Sequence, residues 1–465
     1  MQCEDSYMPP NDNSVRDLTE GEPARLIFFF TLPLLAGNIF QQLYGFIDTL
    51  IVGRFLGVNA LAAVGCTGPL MFLMLGFVMG LTSGFSIYTG QRFGAKDEAG
   101  IRKSVAACTI LSVISALILS FIGVFFCREL LELMETPPEI IDGAYSFIVI
   151  IYGGMSAFVM IQMQSNLIRA LGDSKMPTII QAVTLCINII LEPIAIIVLN
   201  AGIPGAAMAT IFALITGNII CFMYIKKRVP ILHTHREDWR LTKEIVWQHI
   251  RIGLPMGFQS SIIAIGAVVL QFALNNLGAT AVAAYAAAHR VDGIAVMPMM
   301  SFGIAIAAYT AQNFGARKFA RIAEGVKKCI YMSCSFSIAV AIFNILFGAD
   351  IMYMFVGEGQ EQIIEYGQTF LVINGVCYWI LSLLFIFRCT LQGLGQSVVP
   401  TIAGAMELIM RVIAAIFLVD MFGYIGACLS NPLAWIGACI PLSIAFFMTR
   451  KELRKFHAEE YKQSV

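Results

Sequence analysis

Twelve predominantly apolar stretches, each of about 20 residues or more, follow one another along the chain, and few folds can accommodate that pattern. Broken at charged or Gly/Pro/Asn-rich joints, they cover residues 24–52, 59–89, 104–126, 140–164, 176–199, 205–225, 245–275, 281–311, 329–347, 364–387, 398–419 and 425–449. Within lipid, each backbone N–H and C=O must be satisfied inside the protein, which restricts spanning segments to helices and closed barrels. These stretches are continuous rather than alternating, so the expected fold is all-α. Only 13% of the residues are charged and 58% are hydrophobic, against about 25% charged in soluble domains, which leaves too little polar surface for a chain of this size in water. Pro33, Pro69, Pro193, Pro255 and Pro298 fall within the stretches and are expected kink sites. Residues 1–23 are polar and acidic, without the basic start and apolar core of a cleavable signal, so the first helix is expected to drive insertion.

The 30 basic and 30 acidic residues cancel, which argues against a nucleic-acid partner. Their placement is far from even. With twelve spans, 26 of the 30 basic residues fall on one face, Arg388 and Arg169 among them; Arg54 and Arg128 fall on the other, and Arg290 and Arg411 lie inside spans. Cytoplasmic loops carry the Lys/Arg excess, so both termini are expected in the cytoplasm and the chain in the inner (plasma) membrane. The expected organisation is a tail over 1–23, a six-helix lobe over 24–225, a basic linker over 226–244, a second six-helix lobe over 245–449 and a tail over 450–465. The 12 cysteines are scattered through apolar stretches without a CxxC pair, which fits small buried hydrophobes rather than disulfides or zinc.

The halves repeat. Phe55-Leu-Gly-Val-Asn-Ala-Leu-Ala-Ala-Val64 matches 276–285 at five of ten positions with an offset of 221. Gln91-Arg-Phe-Gly-Ala-Lys96 matches Gln312-Asn-Phe-Gly-Ala-Arg317 at the same offset, and Arg169-Ala-Leu-Gly-Asp-Ser-Lys-Met-Pro-Thr178 matches 392–401 with an offset of 223. Each repeat contains six helices, an even number, so the two six-helix bundles are parallel and related by a pseudo-two-fold axis along the membrane normal, an arrangement used for alternating access. These twin motifs, together with Ile47-Asp-Thr-Leu-Ile-Val-Gly-Arg54 and Asn188-Ile-Ile-Leu-Glu-Pro193, resemble the multidrug and toxic compound extrusion (MATE) transporters over nearly the whole chain. Gly94, Asp97, Gly100, Arg102 and Lys103 loosely echo a loop of major-facilitator transporters, but without its aliphatic residue before the Asp. The resemblance implies a secondary antiporter that exports small amphipathic, cationic drugs or metabolites in exchange for Na+ or H+, with no cofactor and no enzymatic activity, working as a monomer in the lipid bilayer. Two rivals remain open: a flippase for a lipid-linked precursor, which calls for a more cationic cavity, and a membrane enzyme, which calls for a DDxxD-type motif that the sequence lacks.

Ionisable groups are costly inside a bilayer, about 2.5–3.5 kcal/mol each on insertion scales, so those present are functional candidates. In the first helix Asn38, Gln41, Gly45 and Asp48 share a face by steps of three and four; in the fifth, Gln181, Thr184, Asn188 and Glu192 do the same. Asp48 and Glu192 lie at similar depth and can converge on one cavity. Two carboxyl groups there can share a proton or, with neutral oxygens, ligate a hard cation. The resemblance implies a cation-coupling site at Asp48, Asn188, Glu192 and Thr210, which are the metal ligands if the ion is Na+; Glu192 stands where many relatives have Asp. At the repeat offset, Thr184 and Asn188 project onto Glu407 and Arg411, an i,i+4 pair expected to neutralise itself. His289 is expected to pack, and Arg290 and Asp292 to find partners on other helices. Asn38, Gln41, Gln181, Thr184, Gln259, Arg290, Met297, Glu407 and Arg411 are the expected substrate-cavity residues, and the Met297-Pro-Met-Met300 run suits a pliable apolar wall.

Overall fold

The structure is a computed structural model that describes residues 16–357 and 359–463. Residues 1–15 of the expected amino-terminal tail, Glu358 and the last two residues of the carboxy-terminal tail lie outside it. No strand occurs among the described residues. The amino half contains α1 (Pro23–Leu56), α2 (Val58–Cys66), α3 (Gly68–Gly94), α4 (Glu98–Leu133), α5 (Pro138–Gly153), α6 (Met155–Ala170), α7 (Lys175–Pro193) and α8 (Gly202–Arg228). The carboxy half contains α9 (Lys243–Asn275), α10 (Ala279–Gly315), α11 (Phe319–Val356), α12 (Glu361–Gly393), α13 (Val398–Ile413), α14 (Val419–Phe422) and α15 (Tyr424–Gln463). Among the described residues, eleven helical units are individually long and apolar enough to cross a membrane, and α5 with α6, bent by 48° at their junction, make a twelfth when taken as one span.

Two expected spans are interrupted. Residues 59–89 do not form one helix: α2 stops at Cys66, and α3 starts at Gly68 with Pro69 in its first turn. Proline has no N–H to offer the preceding turn, which places the break there, and the Thr67 hydroxyl donates to Val64 O at 2.7 Å across the joint. The span over 140–164 bends at Gly153-Gly154, where there is no proline. Pro33, Pro255 and Pro298 lie inside helices that run on past them. Pro193 ends α7, and the turn after it is π-helical over Ile194–Val198; the equivalent helix of the other half has its own π-helical turn, Ala414–Leu418.

The repeated motifs are helix ends. Lys96 and Arg317 both adopt a positive φ of 56° directly after α3 and α10. In each case the next N–H closes the turn, from Asp97 to Arg92 O and from Lys318 to Asn313 O. Gly172 and Gly395, with φ of 87° and 81°, terminate α6 and α12 in the same way; this left-handed backbone is the reason for glycine at both places. All four caps lie at the end of the bundle that carries the basic residues, called the basic end below.

The lobes meet at that end. Glycines let α3 and α9 approach closely: a Cβ on Gly80 would lie 2.3 Å from Met256 O, and one on Gly84 would lie 2.5 Å from the Gly253 Cα. The segment before α1 ties the halves together. The Arg16 N–H donates to Leu171 O, Leu18 is bonded through its N–H to Gln312 Oε1 and through its carbonyl to Asn313 Nδ2, and Lys318 and Arg321 bond Thr19 and Gly21. Leu26, Ile27, Phe30 and Leu34 of α1 sit in one apolar cluster with Met299, Phe302 and Tyr309 of α10, so the first half of α1 packs in the core of the carboxy half. In the spanning windows, α10 is 67% buried whereas α4 and α11 are only 22% buried. Phe121 and Phe125 of α4 and Leu346 of α11 are each about two-thirds exposed, as lipid-facing side chains are.

Candidate cation and substrate site

The polar stripes of α1 and α7 converge. Glu192 is fully buried, and neither of its carboxyl oxygens receives a hydrogen bond from an N–H or hydroxyl group. Its neighbour is the carboxyl group of Asp48, within hydrogen-bonding reach. Two carboxyl groups can bond each other only through a proton, and without one they repel. Among the described residues neither acid has a basic partner. Such a pair can accommodate a proton or a cation between its carboxyl groups.

The oxygens around the pair are neutral. The Tyr44 hydroxyl and Thr210 Oγ1 are 2.9 Å apart, Asn188 Nδ2 donates to Thr210 Oγ1 at 3.3 Å, and Thr210 Oγ1 donates to Ala206 O at 3.2 Å. The Asn188 amide nitrogen is thus turned to Thr210, leaving its carbonyl oxygen for another partner. Asp48, Asn188, Glu192 and Thr210, from α1, α7 and α8, form one cluster. Tyr44 belongs to it as well, although sequence reasoning missed it; its place four residues before Asp48, on the same helical face, was the available signal.

This cluster borders a cavity of ≈ 250 Å³ within the amino lobe. Asn38, Gln41, Gln181, Thr184 and Thr210 line it, with Tyr44 beside them, and Met71, Leu75, Met79, Met155 and Phe158 supply much of the apolar wall. The carboxy half contributes Met300 and Ile304 of α10, and Asn38 Nδ2 donates to Ser301 Oγ on that helix at 2.9 Å. Arg169 also lines the cavity. Counted above with the basic face, it turns inward instead, donating from Nη1 to Asn166 Oδ1 at 3.2 Å while its buried Nε has no partner.

The remaining expected cavity residues are elsewhere. Gln259 is buried and accepts from Gln392 Nε2 at 2.9 Å, Met297 is packed, and His289 and Arg290 are exposed. His289 stacks on Tyr285, and Asp292 accepts from the Tyr378 hydroxyl at 2.7 Å. Glu407 does not pair with Arg411 alone. Arg388 of α12, placed on the basic face by its position near a helix end, is 8% exposed and bonds Glu407 Oε1 directly; Arg411 Nη1 stands 3.6 Å from Glu407 Oε2.

Comparison with known proteins agrees with this architecture. The MatE family model matches twice, over residues 33–194 and 255–417. The chain is 29% identical over 385 residues to the probable multidrug resistance protein YoeA of Bacillus subtilis, covering 81% of this chain and 83% of that protein. It is 22% identical over 439 residues to the multidrug export protein MepA of Staphylococcus aureus, covering 92% and 94%. Among solved structures, the outward-facing conformation of a multidrug resistance MATE family transporter of the MOP superfamily superposes with a TM-score of 0.87 at 23% identity, over 94% of this chain and 98% of that one. A crystal structure of MATE in the bent conformation gives 0.88 at 22% identity, over 95% and 98%. With twelve spans in two parallel six-helix bundles and a family match in each half, the chain belongs to the MatE family of multidrug and toxic compound extrusion transporters.

Proposed function

We propose that the protein is an antiporter that exports amphipathic, cationic organic compounds in exchange for Na+ or H+ by alternating access, with Asp48, Asn188, Glu192 and Thr210 as the coupling site. The observation that carries this reading is the carboxyl pair of half-buried Asp48 and fully buried Glu192, which has no basic partner among the described residues and adjoins Tyr44 and Thr210 at the wall of the amino-lobe cavity. The basic end is the cytoplasmic side in this reading, by the Lys/Arg excess of cytoplasmic loops. The lobes are packed together there, so the cavity is reached from the opposite side of the membrane.

Coupling follows from differential affinity. An ion shifts a two-state equilibrium only if it binds one state better than the other. A cation or proton entering between Asp48 and Glu192 removes their mutual repulsion and draws α1 towards α7, which changes the wall that Asn38, Gln41 and Tyr44 present to the substrate. A cationic compound and the coupling ion compete for the same negative charge. Exchange rather than cotransport follows.

Ethidium efflux from proteoliposomes under separately imposed sodium and proton gradients tests this, alongside drug resistance in a pump-deficient host. Asp48→Asn is expected to abolish both gradient-driven efflux and resistance with normal membrane levels of the protein. Full resistance in that variant removes the coupling site from Asp48. Efflux that ignores both gradients removes the antiport reading itself.

A further inference from the structure

The carboxy lobe places a second charged cluster at the positions that form the site in the amino lobe. By the 223-residue offset, Arg388, Glu407 and Arg411 correspond to Ser165, Thr184 and Asn188. Ser165 and Thr184 line the amino-lobe cavity, and Asn188 belongs to the cation cluster. Where one lobe holds neutral oxygens beside two carboxyl groups, the other holds two guanidinium groups around one carboxylate.

The charges do not balance. Arg388 and Arg411 are 8% and 7% exposed, and Glu407, 3% exposed, is the acid paired with both among the described residues. Arg388 Nε and Arg411 Nη1 are buried without a hydrogen-bond partner. Asp292, the other buried acid of the lobe's interior, is engaged by the Tyr378 hydroxyl and forms no ion pair among the described residues. Within this ion-paired cluster two guanidinium groups share one carboxylate in a low-dielectric interior, and arginine does not relieve the excess by losing its proton. Gly266 of α9 packs directly against the side chain of Arg411, with a notional Cβ 3.3 Å from Nη1.

We propose that Arg388 and Arg411 hold a monovalent anion in the carboxy lobe, so that the two lobes carry sites of opposite sign. The anion takes up the unpaired N–H groups and cancels the excess charge left by Glu407. A free halide or the carboxylate of an amphoteric transported compound supplies the same chemistry. The proposal does not depend on which cation the amino lobe couples.

The test uses the purified full-length transporter, with bromide and benzoate as probes at constant sodium concentration and gluconate as the balancing anion. Bromide is expected to raise the thermal unfolding temperature in a saturable way and to give an anomalous scattering peak between Arg388 and Arg411; stabilisation by benzoate without bromide assigns the site to a substrate carboxylate. Arg411→Gln is expected to lose the effect, while replacement of the exposed Arg54 by Gln leaves it intact. Should Arg411→Gln fail to fold, Glu407→Gln decides: both guanidinium groups remain and the local charge rises by one, so half-saturation should fall on the order of tenfold, the worth of one charge-assisted contact. Stabilisation by neither probe overturns the proposal, as do an undiminished effect in Arg411→Gln and an unchanged or weaker affinity in Glu407→Gln.

Discussion

Replacing Gly94 with Ala attacks the seal at the basic end with a single methyl group. A Cβ there would lie 1.8 Å from Gln312 O and 2.6 Å from its carbonyl carbon. A carbon and an oxygen in contact normally stay more than about 3 Å apart, so the methyl must displace α10 by more than an ångström or hold the lobes apart. The obstacle is backbone, which cannot swing aside as a side chain can. Gln312 Nε2 donates to Ala170 O at 2.8 Å and Gln91 Nε2 donates to Gly393 O at 2.9 Å, each from one lobe to the other; both bonds depend on this approach. At about 1 kcal/mol for each bond, the closed basic end loses about 2 kcal/mol, an equilibrium shift of about 30-fold. Spin labels at positions 103 and 328, where exposed lysines of α4 and α11 flank the seal, report the separation by pulsed dipolar spectroscopy. The expected result is a longer distance population in Gly94→Ala and a wild-type distribution in Gly153→Ala, where a Cβ meets nothing within 4 Å. A wild-type distance distribution with full transport in Gly94→Ala would refute the reasoning, because it would show that the junction yields without cost.

Gly315→Ala, whose Cβ would lie 1.8 Å from Gln91 O on the pseudo-symmetric side, is expected to open the same seal, and the double variant to shift little further than either alone, by the same distance measurement. Tyr44→Phe removes the hydroxyl that contacts Thr210 and should raise the half-saturating concentration of the coupling ion about fivefold, from about 1 kcal/mol, read in proteoliposome efflux. Asp173→Ala removes the acceptor for the Lys175 and Met176 N–H groups and for the Tyr224 hydroxyl, and should lower thermal stability by about 1–2 kcal/mol while substrate-stimulated transport persists.

The parts of the fold that are local in sequence were legible there. The twin Gln-x-Phe-Gly-Ala and Leu-Gly motifs are readable as repeats because each performs the same turn chemistry, positive φ at Lys96, Arg317, Gly172 and Gly395. Asp48 and Glu192 stood out because an isolated charge in an apolar stretch has no cheap explanation. Burial that depends on tertiary packing was not legible. Arg169 and Arg388 occur a few residues from helix ends, where a guanidinium group normally reaches water, and only the packing of α6 and α12 turns them inward. Nor does Leu18 announce itself: it is one apolar residue in a polar lead-in, and it is 1% exposed because Gln312 and Asn313 capture its backbone. The bend at Gly153-Gly154 was missed for a related reason, since proline draws the eye while paired glycines leave the helix open to bending by its neighbours.

The duplicated frame also separates what the two lobes share from what they do not. At the basic end the shared glycines face each other across the pseudo-two-fold axis, Gly94 against Gln312 and Gly315 against Gln91, and both approaches must open together if the lobes are to rock as units. Such symmetry makes the closing surfaces equivalent, so it cannot by itself give the cycle a preference for one ion or one substrate. That preference must come from the lobe interiors, where Thr184 and Asn188 stand against Glu407 and Arg411, and where Asp48 and Glu192 have only apolar positions opposite, at Val269 or Leu270 and at Ala415. In the proposed coupling, an ion drawn to the acid pair therefore acts on the amino lobe, through α1 and α7. Because the first half of α1 is packed in the core of the carboxy half, through Leu26, Phe30 and Leu34, a shift of α1 at Asp48 is carried directly to the helix bundle that must move. In the proposed coupling, one continuous helix, α1, joins the acid pair to the seal, and its mechanical stiffness is what that coupling requires.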